Sequence, residues 1–152
     1  MLKKYSKKFA IGAVTAAMLM LGGNSVFAYD GWADTPTDAY SLNGPIQGVS
    51  TTINSSADVD WYKWTNNTGG PVSFSANLVS PAGKNYDLNI LFYTNGAFGS
   101  VASAADLGTG GTDAFGLGGV PTGYTIYFQV RGQTRADFST SANYNFHLLF
   151  SS

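Results

Sequence analysis

Four stretches of the chain, residues 72–79, 87–93, 124–131 and 144–150, alternate apolar and polar side chains with period two. Outside the first 28 residues no window sustains the 3.6-residue period of a helix. Period two puts successive side chains on opposite faces of a strand, so such stretches fold only as sheets with one face buried. The inward sets are Val72, Phe74, Ala76 and Leu78; Leu88, Ile90 and Phe92; Tyr124, Ile126, Phe128 and Val130; and Tyr144, Phe146, Leu148 and Phe150. Residues 46–53 read as a further strand with a bulge at Gly48, and the glycine-rich stretch 97–119 as one or two short strands holding Val101, Leu107, Phe115 and Leu117. Turn signals separate the strands at residues 66–71, at Asn95-Gly96 and at residues 121–123. The fold expected is an all-β, antiparallel, jelly-roll-like β-sandwich of about seven to eight short strands.

The central motif is Asp58-Val59-Asp60-Trp61-Tyr62-Lys63-Trp64. Lys63 belongs in water, which sends Tyr62 and Trp64 inward and leaves Trp61 outside with Lys63. Asp58 and Asp60 share one face and can bring carboxylates together at the mouth of the strand. Before this motif lies a polar arm, residues 29–43, with Asp30, Asp34 and Asp38 spaced through it and a short strand expected at its end.

Compartment follows from the first segment. Lys3, Lys4, Lys7 and Lys8 precede an apolar run from Phe9 to Leu21, shorter than a bilayer requires. Val26 and Ala28 then occupy the small-residue positions of a cleavage site, so residues 1–28 read as a signal peptide and residues 29–152 as a single secreted domain. With no cysteine there is neither a lipid anchor nor a disulfide, and the core alone must hold the fold. Processing leaves Lys63, Lys84, Arg131 and Arg135 against nine aspartates, a net charge of −5. Such a surface repels phosphate backbones and argues against nucleic acid as a partner. Once the signal is removed, nothing points to a membrane.

Laid out in order, these pieces resemble the bacterial pre-peptidase C-terminal domain family, a small sandwich related to the collagen-binding domains of clostridial collagenases. The resemblance rests on Asp34-Thr35-Pro36 with Ala39, on the central motif, on Asp87-Leu88-Asn89-Ile90-Leu91-Phe92-Tyr93, on Tyr127-Phe128-Gln129-Val130, and on residues 144–148. Gly31 and Ala33 stand where the family arm carries acidic or amide residues, and Asn89 where a second aspartate is common. The resemblance implies calcium as a cofactor, held by Asp34 and Asp60, with Asp58 and Asp30 as neighbours able to substitute. It also implies a collagen-like protein or a polysaccharide as the ligand class.

The residues themselves support a cation site at Asp30, Asp34, Asp58 and Asp60, since calcium takes six to eight oxygens. Against this stands the ordinary role of aspartate in capping turns before a strand. Trp61, Tyr127 and Tyr93 are outward aromatics that can form a platform for a sugar ring or a peptide, or else pack beneath a neighbouring loop. Catalysis finds little footing: the single histidine, His147, faces outward, and no nucleophile elbow or zinc-binding helix motif is present. The expected function is therefore a secreted, non-catalytic binding module for an extracellular polymer or protein. The alternatives are a self-associating surface or matrix protein and, further off, a small hydrolase.

Overall fold

A computed structural model of the chain describes residues 24–25, 31–44 and 46–151. Its strands are β1 (Asn24–Ser25), β2 (Tyr40–Ser41), β3 (Ile46–Thr51), β4 (Val59–Thr65), β5 (Val72–Val79), β6 (Tyr86–Thr94), β7 (Ala97–Ser103), β8 (Thr112–Val120), β9 (Thr125–Gly132) and β10 (Tyr144–Ser151). Two five-stranded sheets form, in the orders β1-β3-β10-β5-β8 and β2-β4-β9-β6-β7. Among the described residues only the two-residue strands pair in parallel, β1 with β3 and β2 with β4. From β3 onward the chain passes between the sheets at nearly every connection, which makes the sandwich jelly-roll-like. Apart from Asn24 and Ser25, the segment read as a signal peptide lies outside the described residues, as does Asp30. Among the described residues no helix is long and apolar enough to cross a membrane.

The alternation predicts the core well. Along β5 and the first half of β6, buried and half-buried residues alternate strictly, and Tyr62, Leu88, Ile90, Ile126, Phe128, Val130, Tyr144, Phe146 and Leu148 are all fully enclosed. Each such side chain contributes about 1.5–3 kcal/mol by leaving water. The two sheets interlock through rings: Tyr62 of β4 stacks on Phe146 of β10 at 4.9 Å, and Phe128 of β9 meets Phe74 of β5 edge-on at 5.6 Å.

Two expectations need correction. Tyr124 is 42% exposed, because it belongs to the turn ahead of β9, where its carbonyl accepts the Asn66 N–H at 2.9 Å. Gly48 forms no bulge; it pairs in continuous register with His147, and the irregularities fall instead between Val72 and Phe74 and between Leu91 and Tyr93. The glycine-rich stretch holds two strands, within the one or two expected: β7 of seven residues and β8 of nine, which runs on to Val120, each at the edge of its sheet.

Candidate functional site

Two arrangements involve the residues singled out above, and both are organised by β4. At its start, the turn into the strand is closed by Asp58, whose Oδ2 accepts the Asn54 N–H at 2.6 Å. Two residues on, Asp60 lies on the same face of β4 as Tyr62 and Trp64 and is completely buried. The pair therefore sits not at a solvated strand mouth but at the edge of the core. Tyr144 of the opposite sheet donates its hydroxyl to Asp60 Oδ2 at 2.5 Å, and the Tyr144 and Tyr62 hydroxyls hydrogen-bond to each other. Asp60 Oδ1 is buried with no partner. Burial pushes the Asp60 carboxyl up to about 8; the Tyr144 hydrogen bond opposes the shift and the charges of Asp58 and Asp34 add to it. Burial likewise holds both tyrosine hydroxyls well above their usual range, so they remain donors.

The arm brings the third acid. Trp61 donates its N–H to the Ala33 carbonyl at 2.8 Å, Tyr40 and Ser41 pair with Tyr62 and Lys63, and Leu42 donates to the Lys63 carbonyl at 2.8 Å. Trp32 packs on Tyr40 and Tyr62 at 5.5 and 6.2 Å. Gly31 and Ala33 both adopt left-handed backbone, with φ of 92° and 57°. Docked this way, the arm sets Asp34 beside the other two acids, and one carboxylate oxygen from each of Asp34, Asp58 and Asp60 lies within 4.8 Å of the others. Three oxygens at such separations fit around a calcium ion, whose ligands stand 2.3–2.6 Å from the metal. The orphaned Asp60 Oδ1 is the further observation in favour, since a buried carboxylate oxygen without a partner is costly unless something neutralises it.

The second arrangement is the outer face of the β4-β9-β6-β7 sheet. Trp61 is on that face, as its alternation with Tyr62 requires, but it is only 9% exposed rather than open to solvent. Phe98 of β7 and Tyr127 of β9 flank it, each at 6.5 Å between ring centres. Phe98 also meets Tyr127 at 5.0 Å and Tyr93 at 5.1 Å, and Tyr93 meets Tyr127 at 5.7 Å, largely edge to face. Thus Trp61, Tyr127 and Tyr93 do come together, as one patch in which Trp61 is the covered base. Phe98, 42% exposed, is its most open ring and was missed in the sequence. Its signal was available: the Asn95-Gly96 turn folds residue 98 back onto Tyr93, its register partner. A polar ladder bounds the patch, where Ser103 donates to Asn89 at 2.7 Å and Asn89 to Gln129 at 3.1 Å.

His147 is half-buried on the other sheet between Gly48 and Asn77, neither of them a nucleophile or an acid. Desolvation lowers its pKa, so it is neutral at physiological pH.

No family model matches the chain, and no curated protein matches it. Among solved structures, it is similar to the pre-peptidase C-terminal domain of collagenase from Bacillus anthracis, with 7% identity over 86% of this chain and 97% of that one, at a TM-score of 0.43. It is also similar to PliG of Aeromonas hydrophila, a periplasmic inhibitor of g-type lysozyme, with 13% identity over 84% and 96% of the two chains, at a TM-score of 0.36.

Proposed function

We propose that this is a secreted, non-catalytic β-sandwich module that attaches to an extracellular polymer or protein through the outer face of the β4-β9-β6-β7 sheet. The observation that carries the reading is the contiguous aromatic patch of Trp61, Tyr93, Phe98 and Tyr127, with Phe98 open to solvent and a hydrogen-bonded polar ladder beside it. Rings of this kind take the C–H face of a sugar or the side chains of an extended peptide, and the resemblance in sequence favours collagen-like protein or polysaccharide. In this reading Asp34, Asp58 and Asp60 hold one calcium ion that fastens the arm to the start of β4. Calcium would contribute charge neutralisation and rigidity there, and no chemistry.

Retention on insoluble collagen, chitin, cellulose and cell wall is the test. The wild-type domain should be held by at least one of them, and the double variant Phe98→Ala/Tyr127→Ala should pass through while keeping its melting temperature within a few degrees. Equal retention of both proteins would remove the aromatic face from the mechanism. Self-association keeps one observation in its favour: β7 is an edge strand without a charged residue or proline, exposed over nearly its whole length. Sedimentation that changes with concentration in the absence of polymer would favour it.

A further inference from the structure

At the far end of β4 from the acids, about 13 Å beyond Asp60 at the usual rise of a strand, lies a cavity of roughly 500 Å³. Its aromatic lining is the half-buried Phe150 of β10, backed by the buried Trp64, with ring centres 4.1 Å apart and planes inclined by 27°. One wall is the arm as it leaves β2, at Leu42 and Asn43; the other is the turn after β4, at Asn67 and Thr68. The cavity wraps the end of β4, taking Trp64 from the inner face and Thr65 from the outer one, and shares no residue with the aromatic patch or the acid cluster.

Its chemistry is specific in three respects. No charged side chain lines it, so an ionic ligand would be stripped of water with nothing to neutralise it. Its lining is aromatic at Phe150. Its two walls each carry an exposed primary amide, Asn43 on one and Asn67 on the other. The neighbouring Asn66 is committed to holding the turn, donating to the Gly70 and Val120 carbonyls at 2.8 Å each and accepting from Thr68, whereas Asn67 takes no part in that network. An amide offers both donors and an acceptor, the complement of a hydroxyl that is both at once. A hydrocarbon chain would use the aromatic lining but leave these amides facing apolar surface; a sugar ring uses both. The volume falls within the ~300–1,000 Å³ typical of small-molecule sites.

We propose that this cavity is a binding site for a neutral sugar ring, packed against the Phe150 ring that Trp64 backs and hydrogen-bonded between Asn43 and Asn67. The site is separate from the outer aromatic face and stands or falls without it.

The full chain is titrated with cellohexaose, chitohexaose and maltohexaose, followed by calorimetry and by the chemical shift of the Trp64 indole N–H. One series should bind saturably and move that resonance. Asn43→Ala/Asn67→Ala, both at exposed positions, should weaken binding at least tenfold with the melting temperature unchanged. Leu107→Ala, an exposed side chain remote from both the cavity and the outer aromatic face, should leave it intact. The proposal is overturned if no series binds up to about 10 mM, a concentration that reveals even millimolar affinity. It is equally overturned if the amide double variant binds as tightly as wild type, or if saturable binding leaves the Trp64 indole resonance unmoved.

Discussion

Asp60 is where the chain concentrates its electrostatic cost. Its carboxyl is raised from 3.8 to about 8, so between those pH values the folded chain holds a proton that the unfolded chain has released. Stability from this group is therefore fully present below about pH 4 and declines as the pH climbs through 8, by on the order of 5 kcal/mol across the window. In chelator, the melting temperature should fall from pH 5 towards pH 8 and level off above it, and Asp60→Asn, which keeps the shape and cannot ionise, should flatten that slope relative to wild type. Parallel slopes would mean that the carboxyl is already ionised in the fold. The tryptophans make a second residue-scale prediction. Trp64→Ala opens the core and should cost about 3–5 kcal/mol in denaturant unfolding. Trp61→Ala, which the alternation alone marks as mild, should cost more than the usual ±0.5 kcal/mol of a surface change, because Phe98 and Tyr127 enclose it. Alternation told which face of β4 each ring occupies. It carried no information on whether that outer face is covered, since the cover comes from β7, more than thirty residues later in the chain.

Among the elements, the β6–β7 hairpin shows most clearly what a sequence reveals and what it hides. Asn95 and Gly96 have φ of 53° and 80°, the left-handed pair that a two-residue hairpin turn demands, and Asn-Gly announces it. Gly96→Ala should cost about 1 kcal/mol and, by disturbing the register that sets Phe98 beside Tyr93, should also weaken polymer retention. Unfolding midpoints and column retention measured on the same variant check both halves. The strands flanking the stretch 104–111 were harder to see. β7 and β8 are edges, β7 is exposed on both faces, and β8 interleaves Phe115 and Leu117 with glycines, so neither shows the in-out signature of an interior strand. The acid site divides in the same way: the spacing of Asp58 and Asp60 is local and legible, whereas the tyrosine relay from β10 that buries Asp60 is a contact between sheets.

At the scale of the whole molecule, the eight described strands of six or more residues and the sandwich class follow from alternation and turns, but the sheet orders do not, because they depend on which edges the arm and β7 come to occupy. The arm crosses the length of β4 and anchors to it by few hydrogen bonds and by Trp32, Ala39 and Leu42, while carrying Asp34 to two buried acids. Three carboxyls gathered at the edge of a core either keep Asp60 protonated, as its burial favours, or are joined by a cation that displaces the proton. An ion that binds only the folded state adds RT ln(1 + [L]/Kd), so calcium at about a hundred times its dissociation constant should contribute roughly 2.7 kcal/mol. For a domain of this size that is a rise in melting temperature on the order of 10 °C, reversed by chelator. Without the ion the arm should also become the first point of proteolysis, cut within residues 31–44, because it is held by few hydrogen bonds and by a two-residue strand. Asp60→Asn should abolish most of the calcium shift; Asp113→Asn, at a buried position on β8 where the carboxylate accepts the Leu107 N–H, should lower the melting temperature but leave the calcium shift in place. A wild-type melting curve indifferent to millimolar calcium and to chelator would return Asp58 to its turn, Asp60 to a neutral hydrogen bond with Tyr144, and the arm to docking by its own packing.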